Sequence, residues 1–447
     1  MNLKKMKLNL LIVLILFLFG CSTPNSPSTD SVDGTFTMSQ TVSDGAQRTT
    51  LAFSALAMMT GNLDSQSFFP PGKVADYTGF QFLRDNDPSG MGHNTSFLTR
   101  VACDVIYILD ENQLQILSDL AEAQSASFSL YGWKRYPLMQ AFRRLMENDL
   151  PFGTTALSET AVVNASKELY LIDGEISYER AVAYAAVINS LTSDQKAFLD
   201  AMVGQGWDNW PDHGESDEIV VGHIASLGNV DRTALYTYAG DIFSWYAGDI
   251  EADTYFCPER QGTYYGSFYM KDAPAVGVAD YSISTELTAT AGKALCDASE
   301  GYVTEAQALS ISALVDAQRD NLYSGTTNIV SVRRQISALL RGLRTSADSD
   351  SAVLAQVLEL SQTYGRLDGE NNYRYASAMA YVYQTLSAAQ KTKLMALRTS
   401  ILSGTYSNGT SFNFTTCTTP FLYSAPITDT EALDSYIGNG ATDAFFE

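Results

Sequence analysis

Histidine is the scarcest chemistry-bearing residue in this chain of 447, with 3 in all. That leaves little material for imidazole acid–base or metal chemistry. Cysteine is nearly as rare, at 5, and basic residues are outnumbered, 28 Lys and Arg against 50 Asp and Glu, for a formal charge of −22. A balance of that sign argues against nucleic acid or an anionic lipid surface as a partner. The sequence has no Gly-x-Ser-x-Gly elbow, phosphate loop, dinucleotide fingerprint, His-Glu-x-x-His pair or Cys-x-x-Cys-His attachment site, so neither nucleotide nor haem is expected. The expectation is a protein that binds rather than converts. Catalysis by carboxylates alone is the enzymatic route these absences leave open.

Long apolar runs are also missing. The longest, Leu8 to Phe19, is interrupted by Asn9 and follows Lys4, Lys5 and Lys7; a membrane span needs about 20 apolar residues, whereas a signal peptide needs fewer. The run ends in Leu18-Phe19-Gly20-Cys21. That ending resembles the lipobox of bacterial lipoproteins, and the resemblance implies cleavage before Cys21, lipidation of Cys21, and attachment to the membrane through that lipid alone. Ser22 stands where an inner-membrane retention signal would resemble Asp, so the expected location is the cell envelope, at the outer membrane facing the periplasm. Without the leader the charge becomes −25. The polar segment after Cys21 has too few apolar groups to offset its ordering entropy and reads as a tether.

What the chain does contain is a helix-start signal used four times: Leu109-Asp110-x-x-Gln113, Leu191-Thr192-x-x-Gln195, Val303-Thr304-x-x-Gln307 and Leu386-Ser387-x-x-Gln390. The cap side chain accepts from the amide three residues on, and the glutamine there answers the cap amide. Gln113 and Gln195 are 82 residues apart and Gln307 and Gln390 are 83, so the motifs form two pairs, the mark of an internal duplication. Residues 173–196 align without a gap to 368–391 with 11 of 24 identities, and 113–124 to 307–318 with 5 of 12. Elsewhere apolar residues recur at three and four positions, as in 135–146, 181–188 and 353–360. The fold class expected is all-α: two tandem, internally duplicated helical repeats with long irregular aromatic-rich connecting segments. The expected organisation is a signal peptide (1–20), a tether (21–45), repeat 1 (46–255), a Tyr-rich linker (256–270), repeat 2 (271–430) and a tail (431–447).

Leu191-Thr192-Ser193-Asp194-Gln195 also resembles the signature of the LTxxQ (Spy/CpxP-like) bacterial envelope proteins, and the other three copies are single-residue variants of it. The resemblance is confined to these short motifs. It implies an all-helical body that binds unfolded client proteins without ATP, with the two repeats standing in for a dimer. Helix capping explains the same spacing without any shared function. The chain departs from that family in its length, its lipid anchor and its acidity.

Several constellations could carry a site. Cys103, Cys257, Cys296 and Cys417 are an even set in an oxidising compartment; repeat symmetry allows 103–257 with 296–417, or 257–296 with 103–417, and one bridge within each repeat is expected, against the alternative of buried thiols. The loop Asp85-Asn86-Asp87-Pro88-Ser89-Gly90-Met91-Gly92-His93 begins like a calcium loop but has Ser96 where the bidentate Glu belongs. Asp85, Asp87 and His93 are therefore the candidate ligands for a divalent metal, calcium or a transition ion, with an ordinary Asp/Asn/Gly turn as the alternative. Asp208, Asp212, His213, Glu215 and Asp217 form an acidic loop, and Asp-Gly-Glu recurs at 173–175 and 368–370, where Glu175 and Glu370 could pair or the aspartate could cap or kink a long helix. Function is expected to be protein binding: a chaperone-like or stress-related role, with metal binding or a structural place in an outer-membrane assembly as alternatives.

Overall fold

The computed structural model describes residues 38–60, 67–68, 77–88, 95–255, 283–345, 351–402, 425–426 and 440–447. The leader, residues 21–37 of the expected tether with Cys21 among them, His93, the 256–270 linker, Cys257 and Cys417 lie outside these; the end of the expected tether, 38–45, is instead taken up by a short helix and the start of the next, because Met38, Thr41, Val42 and Gln47 pack or hydrogen-bond into the body. In chain order the helices of the first part are α1 (Met38–Thr41), α2 (Asp44–Met59), α3 (Phe80–Asp85), α4 (Thr95–Ile108), α5 (Glu111–Glu147), α6 (Glu159–Ser190), α7 (Ser193–Met202), α8 (Glu218–Ile224), α9 (Asn229–Ala247) and α10 (Ile250–Thr254). The second part has α11 (Ile283–Cys296), α12 (Glu305–Ser312), α13 (Leu314–Arg319), α14 (Ile329–Gly342), α15 (Ser351–Thr385) and α16 (Ala388–Leu402). The protein is all-α. Extended pairing among the described residues is confined to a two-residue antiparallel contact, Ser67–Phe68 with Ala425–Pro426, and one bridge, Leu157 with Phe446.

Local chemistry sets the helix ends. Ser43 accepts from the Ala46 amide to start α2, and Asn328 exchanges bonds with Ser331 to start α14. Ser158 occupies the cap position of α6 but makes no side-chain cap bond. α5 ends at Asn148, whose φ of 58° is the left-handed closure that Asn tolerates.

The long helices α6 and α15 are the axis of the molecule and pack along their lengths. Small residues let them approach. A Cβ on Gly365 would lie 2.8 Å from the Lys167 Cα and the Ser166 carbonyl oxygen, and one on Gly369 would lie 2.9 Å from the Val163 Cα. Each Asp-Gly-Glu therefore sits inside an uninterrupted helix, so the expected cap or kink is not formed. Its glycine serves close packing instead.

The remaining helices cross the boundary drawn from sequence. α2, which precedes the first pair of motifs, packs on α11 of the second half, while α9, which precedes the second pair, packs on α4 of the first. The contacts match: the Cys103 thiol donates to the Tyr236 hydroxyl of α9 (3.9 Å), and the Cys296 thiol donates to the Arg48 carbonyl of α2 (4.0 Å). Likewise Gln124 of α5 meets Tyr238 of α9, and Gln318 of α13 meets Gln47 of α2. One buried apolar core draws on both halves, so the two sets of helices share an interior rather than standing as beads on a string.

Candidate functional site

All four helix-start motifs form the reciprocal bonds their spacing calls for. Asp110, Thr192 and Thr304 each accept from the glutamine amide three residues on, and each glutamine answers, as do Ser387 and Gln390. The structure adds that the glutamines meet. Gln195 Nε2 donates to Gln113 Oε1 at 2.7 Å and Gln390 Nε2 to Gln307 Oε1 at 2.9 Å; Gln113 also donates to Ser190, and Gln307 to Thr385. Each pair ties two helix starts together and leaves its amide groups committed to the fold.

The other sequence candidates separate. Asp87 accepts the Trp207 backbone amide at 2.9 Å and so braces a short 3-10 turn at Trp207–Asn209. Asp85 ends α3, with its side chain outside the described set, as is His93. In the acidic loop Asp212 pairs with Arg100 at 2.8 Å, Asp217 caps α8 by accepting from the Ile219 amide, and His213 stacks on Tyr107 with ring centroids 3.5 Å apart. Among the described residues no group of three or more metal-ligating side chains comes together. Glu175 is exposed and Glu370 is held by Arg366 and Asn321, so those two glutamates do not pair. The two cysteines that are described, Cys103 and Cys296, are buried thiols, so neither takes part in the expected bridge. Burial pushes the Cys103 thiol up to about 12.

The aspartates near Glu175, Glu370 and Cys103 have a burial that neither cap, kink nor pairing anticipates. Asp173 and Asp368 are buried in the α6–α15 seam, and burial raises both to about 7, opposed at Asp173 by Arg180 and Arg333 and at Asp368 by Tyr170 and Asn372. Asp104, next to Cys103, is fully buried, and burial raises it to about 8; the His213 backbone amide and Arg100 favour its charged form. A carboxylate placed before a glycine in mid-helix is the one sequence sign of the first two.

Asp173 opens a row on α6, Asp173, Ser177, Arg180 and Tyr184, whose spacing of four, three and four keeps one helix face. α9 contributes Tyr238, Asp241 and Trp245, and α14 contributes Arg333, Ser337 and Arg341. Asp241 accepts from Tyr184 (3.0 Å) and Thr78 (3.3 Å) and lies 3.7 Å from Arg180. Arg333 donates to the Asp253 and Tyr255 carbonyls and lies over the Tyr77 ring. Arg341 pairs with Asp253, and Arg344 donates to the Trp245 carbonyl. Within this seam is a cavity of about 20 Å³, lined by Tyr77, Ser177, Arg180, Tyr184, Asp241 and Trp245 among others, enough for one or two waters.

Among the described residues the surface offers one feature of comparable definition. Phe152 is fully exposed, at 107% of its reference area, on a loop that is rigidly held. Thr155 and Ala156 donate to the Glu447 carbonyl (2.8 and 3.0 Å), Ser158 donates to the Phe445 carbonyl (2.7 Å), and Glu447 returns a bond to Ala156 (2.9 Å). Arg144 locks the same corner by donating to Thr442, Asp443 and the Asp149 carbonyl and by lying over the Phe446 ring. Glu147, Asp149, Asp443 and Glu447 border the loop, against Arg143 and Arg144.

No known protein family, curated protein or solved structure matches this chain.

Proposed function

We propose that this chain is a lipid-anchored bacterial envelope protein whose helical body binds another protein, with Phe152 as the anchor of the contact. The observation that carries the reading is the exposed aromatic ring on a loop braced by residues 442–447. An exposed ring costs solvation, and a rigid one loses little entropy when it enters a pocket; buried aromatic anchors dominate protein interfaces. The acid border favours a partner whose apolar pocket is rimmed by Lys or Arg. The leader and Leu18-Phe19-Gly20-Cys21 support the anchor and the envelope location.

The braced loop favours a fixed partner, such as a component of an outer-membrane assembly, over a broad set of unfolded clients. The chaperone-like reading rests on the LTxxQ resemblance, whose glutamines are occupied in holding helix ends together. The metal reading is weakened by Asp87, whose carboxylate is bonded to the Trp207 amide. The test is quantitative co-purification from detergent-solubilised envelopes with wild-type and Phe152→Asp chains. Loss of one defined species in the variant, and weakening of its capture as salt rises, would support the reading. Equal recovery with both chains would overturn it.

A further inference from the structure

We propose that the cavity between α6 and α9 is a binding site for one small monovalent anion, of the size of chloride or formate. Four buried donors among its lining residues have no hydrogen-bond partner: the Tyr77 hydroxyl, the Ser177 hydroxyl, Arg180 Nη2 and Trp245 Nε1. A buried donor left unpaired is destabilising, so four around one cavity call for an acceptor. Water could take part, but four donor groups suit an acceptor-only ligand better. The surrounding seam balances Arg180, Arg333, Arg341 and Arg344 against Asp173, Asp241, Asp253 and Asp368, and the unpartnered Nη2 of Arg180 puts a cationic donor in the cavity wall. Asp241 already has Tyr184, Thr78 and Arg180 as partners, and its negative charge in the same wall disfavours a divalent ion. The size of the cavity excludes anything beyond a few heavy atoms.

The two halves of the chain show that these groups are not required by the packing. At the aligned positions of α15, Ser177, Arg180 and Tyr184 are replaced by Asn372, Tyr375 and Met379. The helix pair is built equally well from uncharged residues there. The polar set on α6 is an addition to the common frame, as a site confined to one half would be.

The experiment compares thermal unfolding of the full chain in sodium chloride, sodium formate and sodium gluconate at one fixed ionic strength and pH, since gluconate is too large to enter. Binding predicts a saturable rise of about 1–3 °C in chloride and formate over gluconate. Ser177→Ala removes one donor at nearly constant shape, and Trp245→Phe removes another while enlarging the cavity; each is expected to reduce that increment by half or more. Should Trp245→Phe fail to fold, Ser177→Ala decides. Bromide soaked into crystals is expected to give an anomalous peak within hydrogen-bond distance of Arg180 Nη2. An equal melting temperature in all three salts, an increment unchanged in the variants, or a cavity holding water alone in bromide would overturn the proposal.

Discussion

Replacing Gly365 by alanine tests the claim that α6 and α15 are joined by close backbone approach. Alanine in a helix interior is favoured over glycine by about 1 kcal/mol, so propensity alone predicts a more stable protein. The new methyl, however, would stand 2.8 Å from the Lys167 Cα and the Ser166 carbonyl oxygen and 2.9 Å from the Tyr170 Cβ. Two of these three are backbone atoms of α6 and cannot rotate away. The helices must separate by roughly 0.7–1 Å to reach ordinary carbon contact, and such a gap forfeits about a quarter to a half of each dispersion well along the seam. Overpacking of this kind costs about 1–3 kcal/mol or more, which outweighs the propensity gain. The control is Gly342→Ala, in α14, where a Cβ meets nothing within 4 Å and a gain of about 0.5–1 kcal/mol is expected. Urea unfolding followed by circular dichroism gives both values from the same protocol. A Gly365→Ala protein as stable as wild type, alongside a stabilised Gly342→Ala, would refute the account of the seam.

Other outcomes follow from the buried groups and the caps. A carboxyl raised in the folded state binds its proton more tightly there than when unfolded, so its contribution is present below the unfolded value and is lost as pH rises through the folded one. For Asp104 that window runs from its ordinary 3.8 to about 8. Asp104→Asn is therefore expected to stabilise the protein by on the order of 1–3 kcal/mol above pH ~8 and to lose that advantage below pH ~5, measured as urea midpoints across pH; an advantage independent of pH would contradict the assignment. In a double-mutant cycle, Gln113→Ala and Gln195→Ala should couple by about 0.5–1.5 kcal/mol, and strict additivity would mean that the two helix starts do not support one another. Iodoacetamide should leave Cys103 unmodified in the native protein and label it on unfolding, because burial holds its thiol up near 12; native labelling would contradict the burial.

The parts of this fold visible in the sequence are those set within a few residues. Each capping box is a bargain between a cap and a glutamine three positions on, so spacing alone reveals it. The pairing of Gln113 with Gln195 and of Gln307 with Gln390 depends on where α7 and α16 return in space, and spacing reveals only that the pairs are alike. The same limit explains the misreading of Asp-Gly-Glu. Asp173 and Glu175 look equivalent as carboxylates, but two residues of helix turn one into the seam and the other to solvent. The exchange of α2 and α9 between halves leaves no pattern in the sequence, because residues 50–59 and 234–245 are buried all round and no single face points to a partner. The cysteines were read by number and compartment, which say nothing of depth, and two of them are buried thiols. Phe152 has no local pattern at all, since its exposure comes from a segment nearly 300 residues later that holds its loop outward.

The proposed contact is between the braced loop at Phe152 and a protein of the envelope. The most direct measurement places a photo-crosslinking phenylalanine analogue at position 152 of the full chain in intact cells, with Tyr381, which is also exposed, as the comparison site. One discrete crosslinked protein is expected from position 152, absent at 381 and reduced by high salt in isolated envelopes. No adduct at 152, or the same ladder from both positions, would contradict it.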